Sequence, residues 1–127
     1  MELLKHLQFN ADGHIPAIIV EDSLKEVLTL CYMTEEALRK TVKTGRVYVF
    51  RRSMGKLMMK GETSGHIQIV KGIYPDCEGK SLVIKVDQKV AGCHKGYMSC
   101  YHRRYDPKTD ELKTVAEKVF DPDKTYG

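Results

Sequence analysis

One segment alone carries both a start and a stop signal for a helix, and every other periodic stretch is short and alternating. Thr34 is placed to cap the first turn, with Glu35 and Glu36 at the positive end of the helix dipole. Arg39, Lys40 and Lys43 sit toward the negative end, and Gly45 supplies the stop. Around this helix the chain reads as strands. After an approach segment ending in the turn Asn10-Ala11-Asp12-Gly13, Ile15 to Val20 and Val27 to Met33 form a hairpin about the turn Glu21-Asp22-Ser23. Val47 to Arg51 is a strand followed by the turn Ser53-Met54-Gly55-Lys56. His66 to Tyr74 is expected as a strand with Ile67, Ile69 and Ile73 on one side, and Ser81 to Val86 as one with Leu82, Ile84 and Val86 on one face. Gly92 to Gly96 is irregular, and Tyr101 to Tyr105 is the last strand before the turn at Asp106 to Asp110. Glu111 to Val119 carries helical and strand character alike. The fold class expected is α+β, a β-rich single domain over residues 1–127, with its core at about 15–105 and a C-terminal extension at 106–127.

With 127 residues and 42% hydrophobic content, the chain can bury a core of its own, and a net charge of +4 does not favour disorder. The run Ile15 to Val20 falls far short of the ~20 apolar residues that a membrane span needs. Met1-Glu2-Leu3-Leu4-Lys5-His6 lacks the basic region and apolar stretch of a secretion signal, so the cytoplasm is the expected location, with no membrane partner.

Four cysteines remain, and in a reducing compartment their spacing matters more than their number. Cys31 lies inside the apolar run Leu28-Thr29-Leu30-Cys31-Tyr32-Met33 and is assigned to the core. Cys77, Cys93 and Cys100 instead lie in polar, turn-prone sequence, with fifteen residues between the first two and six between the last two. Metal ligation is the favoured reading and surface or half-buried thiols the alternative. Three thiolates leave one position of a tetrahedral zinc open, where the pKa of a water can fall to about 7. His94, beside Cys93, either completes a closed structural site or moves a proton.

Two further features point to an anionic ligand. In Lys60-Gly61-Glu62-Thr63-Ser64-Gly65-His66, two glycines flank small hydroxyl residues, a pattern that suits backbone N–H groups approaching an anion as well as a plain turn. From Ala37 to Gly61 there are eight basic residues (Arg39, Lys40, Lys43, Arg46, Arg51, Arg52, Lys56 and Lys60) and no acidic ones. Such a run is either a solvated face or a phosphate pocket, for which arginine forks are well shaped. Aromatic residues are not interleaved as a nucleic-acid platform requires, so a small phosphorylated ligand is expected and nucleic acid is not.

In order along the chain, Ile15-Pro16-Ala17-Ile18, Tyr32-Met33-Thr34-Glu35-Glu36-Ala37-Leu38, Gly55-Lys56-Leu57, Lys60 to His66, Asp76-Cys77, Cys93-His94-Lys95-Gly96 and Ser99-Cys100-Tyr101 together resemble the phosphoribosyl-AMP cyclohydrolase family. The resemblance runs from about Ile15 to Tyr105. It implies opening of the N1–C6 bond of the adenine ring of phosphoribosyl-AMP by water, the third step of histidine biosynthesis. It further implies an intertwined homodimer with zinc held by cysteines from both subunits, and a dependence on magnesium. On this basis His94 and His66 are the catalytic candidates. The substrate's two phosphates would meet Arg51, Arg52, Lys60, Gly61, Glu62, Thr63, Ser64 and Gly65. Zinc would be held by Cys77, Cys93 and Cys100. The attack at C6 parallels that of zinc deaminases on adenine, except that the ring bond breaks.

The chain also departs from the family. A family pattern of three carboxylates around the first zinc cysteine, which bind magnesium, is here Asp76-Cys77-Glu78-Gly79-Lys80. An amine in place of the third carboxylate should weaken magnesium binding, and the Lys80 ammonium is expected to supply positive charge in its stead. The family's tryptophans near Phe50 and Met58 are absent, and Met54 and Met98 stand near positions where it has arginines. Two alternatives follow: a divergent zinc hydrolase for another phosphorylated purine-like ring, and a non-catalytic module stabilised by a closed zinc site.

Overall fold

The structure, a computed structural model, describes residues 1–62, 64–90, 93 and 95–123. Alternation at the start of the chain becomes β1 (Ile15–Glu21), in which every second side chain is buried: Ile15, Ala17, Ile19 and Glu21. It pairs antiparallel with β2 (Glu26–Met33), forming the expected hairpin. Leu28 is an extra residue in β2, because Ile19 pairs with Thr29 and Val20 with Val27. This bulge bends the strand, and the carbonyls of Val27 and Leu28 accept from Ser99 and Cys100.

Helix α1 (Glu35–Thr44) has the expected ends. Thr34 Oγ1 accepts from the N–H of Ala37 at 3.2 Å, and Gly45 closes the helix in the left-handed region at φ 71°. Its inner face buries Ala37, Leu38 and Thr41, and burying a leucine of this kind contributes about 2 kcal/mol. Thr41 Oγ1 donates to Ala37 O and accepts from Tyr48 N, which ties the helix to β3 (Tyr48–Arg51). Strand β3 pairs with β4 (Lys56–Met59), a strand absent from the sequence expectation.

Strands β5 (Gln68–Pro75) and β6 (Leu82–Gln88) complete a four-stranded sheet of order β2-β1-β6-β5. The sheet is mixed, since β1 and β6 run parallel and the outer pairs antiparallel. Leu82, Ile84 and Val86 share the buried face as expected. The expected face of β5 is corrected. Ile69 pairs with Asp87 on the outer side, whereas Gln68 and Val70 lie on the inner side, opposite Gln88 and Val86. A bulge at Lys71 then shifts the phase, so that Ile73 packs against the core.

The ambiguous stretch after the turn at 106–110 contains a strand, β8 (Glu111–Thr114), paired with β7 (Arg103–Asp106) in a separate hairpin. The N-terminal approach segment includes a 3-10 turn at Leu3–His6. The result is an α+β domain with one main helix, and no helix among the described residues is long and apolar enough to cross a membrane.

Candidate active site

Between the inner face of the sheet and the β3–β4 hairpin lies an open cleft of ≈ 1310 Å³. The sheet's buried row is apolar along most of its length but ends in three polar residues, Glu21, Gln88 and Gln68, and the last two line the cleft. Burial pushes the Glu21 carboxyl up, but hydrogen bonds from Ser23, Gln88 and Leu24 outweigh this and leave it below its ordinary value.

The bulged strand positions the sulfur site. Ser99 Oγ donates to Val27 O at 2.6 Å, and Cys100 N donates to Leu28 O at 2.7 Å, which fastens the 99–100 segment to β2 and leaves Cys100 in the cleft wall. Cys93 is 4% exposed and close enough to Cys100 to act on its ionisation. Lys95 N approaches Cys93 Sγ at 3.5 Å. Burial pushes the Cys100 thiol up and the charge of Cys93 adds to this, while Thr29 and Lys60 oppose it. A thiol such as Cys100, whose ionisation burial disfavours, needs a cation beside it to become a thiolate, and zinc suits a cysteine donor set.

Cys77 does not join them within one chain. Pro75 pairs with Leu82, Leu82 with Ala17 and Ala17 with Cys31, so Cys77 lies beyond edge strand β5 at the end of the sheet that carries Ile15 and Met33. Cys100 lies beside Leu28 on the opposite edge, and three strand spacings of ~4.8 Å separate the two edges. Cys77 is exposed, and no group of three or more metal-ligating side chains occurs among the described residues. Cys31 packs against the core as expected, its thiol pushed up to about 11 by burial.

The basic run divides. Arg51, Arg52 and Lys60 line the cleft, whereas Arg39 pairs with Glu35 at 3.0 Å and Lys40 lies over the Tyr48 ring. Arg52 stacks on Tyr32, 4.1 Å from the ring centre. Gly61, Glu62, Ser64 and His66 also line the cleft, and three of the loop's backbone donors are engaged within or beside it. Glu62 N donates to Met59 O, Gly65 N to Gly61 O and His66 N to Ser64 Oγ. Gly61, at φ 85°, is needed for packing: a Cβ there would lie 2.5 Å from Ile67 N. Thr63 and His94 lie outside the described residues.

Sequence reasoning missed several residues of the cleft. Lys95 adds a cation, and Tyr97 stacks on His102 with ring centres 3.8 Å apart. The C-terminal stretch closes one side: Val119 N donates to Gly96 O, Phe120 meets His66 edge-on at 4.6 Å, and Lys118 and Asp123 reach the cleft. For Lys95 the signal available was its place in the motif Cys93-His94-Lys95-Gly96, and for Lys118 only its basic character.

The carboxylates expected to hold magnesium do not fit it. Asp76 Oδ1 accepts from the N–H groups of Glu78 and Lys80 at 3.0 Å each, and Oδ2 accepts from Ser81. The Ser81 and Lys80 hydrogen bonds hold the Asp76 carboxyl below its ordinary range. Glu78 pairs with the Lys80 ammonium at 2.9 Å. Both carboxylates are thus engaged within their own turn, with Lys80 paired to Glu78.

The phosphoribosyl-AMP cyclohydrolase family model matches residues 29–102. A phosphoribosyl-AMP cyclohydrolase of Methanothermobacter thermautotrophicus is 41% identical, over 100% of this chain and 94% of its own length. One of Haloarcula marismortui is 47% identical, over 94% of this chain and 96% of its own. The histidine biosynthesis bifunctional protein HisIE of Thermoanaerobacter pseudethanolicus is 44% identical over 98% of this chain, which spans 56% of that longer relative. Such similarity defines a hydrolase that acts on a cyclic C–N bond. Within that class, the chain belongs to the phosphoribosyl-AMP cyclohydrolase family of histidine biosynthesis.

Proposed function

We propose that this chain hydrolyses the N1–C6 bond of the adenine ring of phosphoribosyl-AMP, with zinc held by Cys93 and Cys100 together with Cys77 of a second copy. The observation that carries the reading is the convergence of the Cys100 thiol, with buried Cys93 close to it, and several side-chain cations on one cleft. Zinc, when bound, supplies a Lewis acid that lowers the pKa of water toward ~7.

The chain's own residues do the rest. N1 ribosylation makes the purine cationic and C6 electrophilic, so binding must place that carbon near the sulfur pair. Arg51, Arg52, Lys60 and Lys95 offer charge for the two phosphates, and arginine in particular offers paired donors to phosphate oxygens. His66 lines the same cleft, held edge-on by Phe120, and is a proton carrier for N1 as the bond breaks. His94 remains the other candidate. No step is assigned to magnesium.

The homodimer rests on separate support. Cys77 is exposed and remote from its partners in sequence, and the β7–β8 hairpin buries almost nothing within the chain. Phosphoribosyl-AMP disappearance, followed with zinc-loaded protein, tests the activity. The intact chain is expected to turn over, and Cys93→Ala to lose at least ~100-fold, the scale of removing one essential electrostatic contributor. An intact chain that leaves the substrate unchanged would overturn the reading.

A further inference from the structure

Gln68 is 1% exposed, belongs to the cleft lining and keeps one polar atom without a partner: no described group donates to its Oε1. The neighbours determine which end of the amide is left over. Gln88 Nε2 donates to the carbonyls of His66 at 2.9 Å and Lys89 at 3.0 Å, with Ile67 O at 3.4 Å. Three carbonyl acceptors admit only the amide nitrogen there, so Gln88 Oε1 must face the other way. It accepts from Gln68 Nε2 at 2.7 Å. Gln68 cannot flip without setting two oxygens against each other, and its Oε1 is therefore fixed as a free acceptor. Glu21 adds a further constraint by accepting from Gln88 N at 2.8 Å. The only other buried side-chain orphan among the described residues, Arg46 Nη1, is a donor that does not reach it.

An unpaired acceptor at such depth is unfavourable unless a donor arrives. We propose that Gln68 Oε1 reads the substituent at C6 of the purine, accepting a hydrogen bond from its amine N–H, with Gln88 as the positioning residue that aims it. This assignment rests on the reading of the cleft as the phosphoribosyl-AMP site, and it adds a reason for the choice between two C–N bonds at one carbon. When water's oxygen bonds to C6 and the N1–C6 bond breaks, the proton goes to N1, and the C6 amine stays on as the nitrogen of a carboxamide. A carbonyl oxygen accepts but has no proton to give. It therefore holds the C6 nitrogen as an amine and does not help it leave as ammonia.

The test uses two probes that differ only at C6, AMP with an amine donor and 6-methoxypurine ribonucleoside 5′-monophosphate with an oxygen acceptor and the same unprotonated N1, titrated by calorimetry against the zinc-loaded protein. The wild type is expected to prefer AMP by roughly tenfold or more, because an oxygen at C6 faces Oε1 acceptor to acceptor. Gln68→Met is expected to bind both probes within about twofold of each other. A merely structural role for Gln68 would weaken both probes together and preserve their ratio, and that result overturns the assignment. Equal affinity of the wild type for both probes also overturns it, needs no variant to fold, and assigns Oε1 to an internal water instead. A wild type that turns over phosphoribosyl-AMP yet shows no preference separates this failure from that of the cyclohydrolase reading. A wild type that binds neither nucleotide overturns the assignment, while turnover of phosphoribosyl-AMP decides the cyclohydrolase reading by itself.

Discussion

Gly61 and Glu21 show how much single positions contribute to this cleft. Gly61 combines a left-handed backbone with a loop folded so tightly that any Cβ meets the backbone of His66 and Ile67. Gly61→Ala should cost about 2–4 kcal/mol of stability, combining steric overlap with backbone strain. Urea unfolding measures this, and a loss below 1 kcal/mol would mean the loop is not so constrained. Glu21 has a lowered carboxyl pKa in the folded state, so its contribution is fully present above the ordinary value of 4.5 and is lost as pH falls through the lowered one. Glu21→Gln should therefore flatten the dependence of stability on pH below about 4.5. Denaturation curves at several acidic pH values check the sign, and an unchanged acid slope contradicts it. Thr34, Gly45 and Cys31 were readable from the sequence, because caps and apolar runs are local signals. The roles of Gln68 and Gln88 were not, since they arise only when β5 and β6 pair in register.

Elements were foreseen where alternation was uninterrupted and missed where it was not. β1 and β6 keep their phase along the buried face, whereas β2 changes phase at the bulge that buries Leu28 and stays legible through its apolar run. β5 changes phase at Lys71, so counting isoleucines by twos selects the wrong face. β4 is only four residues, Lys56–Met59, without alternation, and becomes a strand by pairing with β3. The β7–β8 hairpin presents Tyr105 and Leu112 as a cross-strand pair, 54% and 56% exposed, with Val115 beyond them at 62%. An isolated two-stranded hairpin is marginal in water, so a second copy is the proposed cover. Leu112→Glu should then shift the protein toward monomer in sedimentation velocity. A wild type that is already monomeric at every concentration would refute that cover.

At the scale of the whole molecule, the cleft draws together residues far apart in the chain. Cys100 is fastened to the bulge of β2, the Lys60 loop closes one side and the stretch around Phe120 another. Sequence identified the family motifs and most of the cationic wall, but not the contribution of Lys118 and Asp123, which depends on the C-terminal stretch returning to Gly96. The placement of Cys77 at the far edge of the sheet makes the shared zinc site a definite geometric claim. Two inactive variants, Cys77→Ala and Cys93→Ala, test it when unfolded together, refolded with zinc and assayed on phosphoribosyl-AMP. Each variant alone should be inactive. In the mixture, a heterodimer regenerates one intact site from Cys77 of one chain with Cys93 and Cys100 of the other. Random pairing should restore about a quarter of the wild-type activity per chain. A mixture as inactive as its two components, with heterodimers present, would contradict a site completed by a second copy.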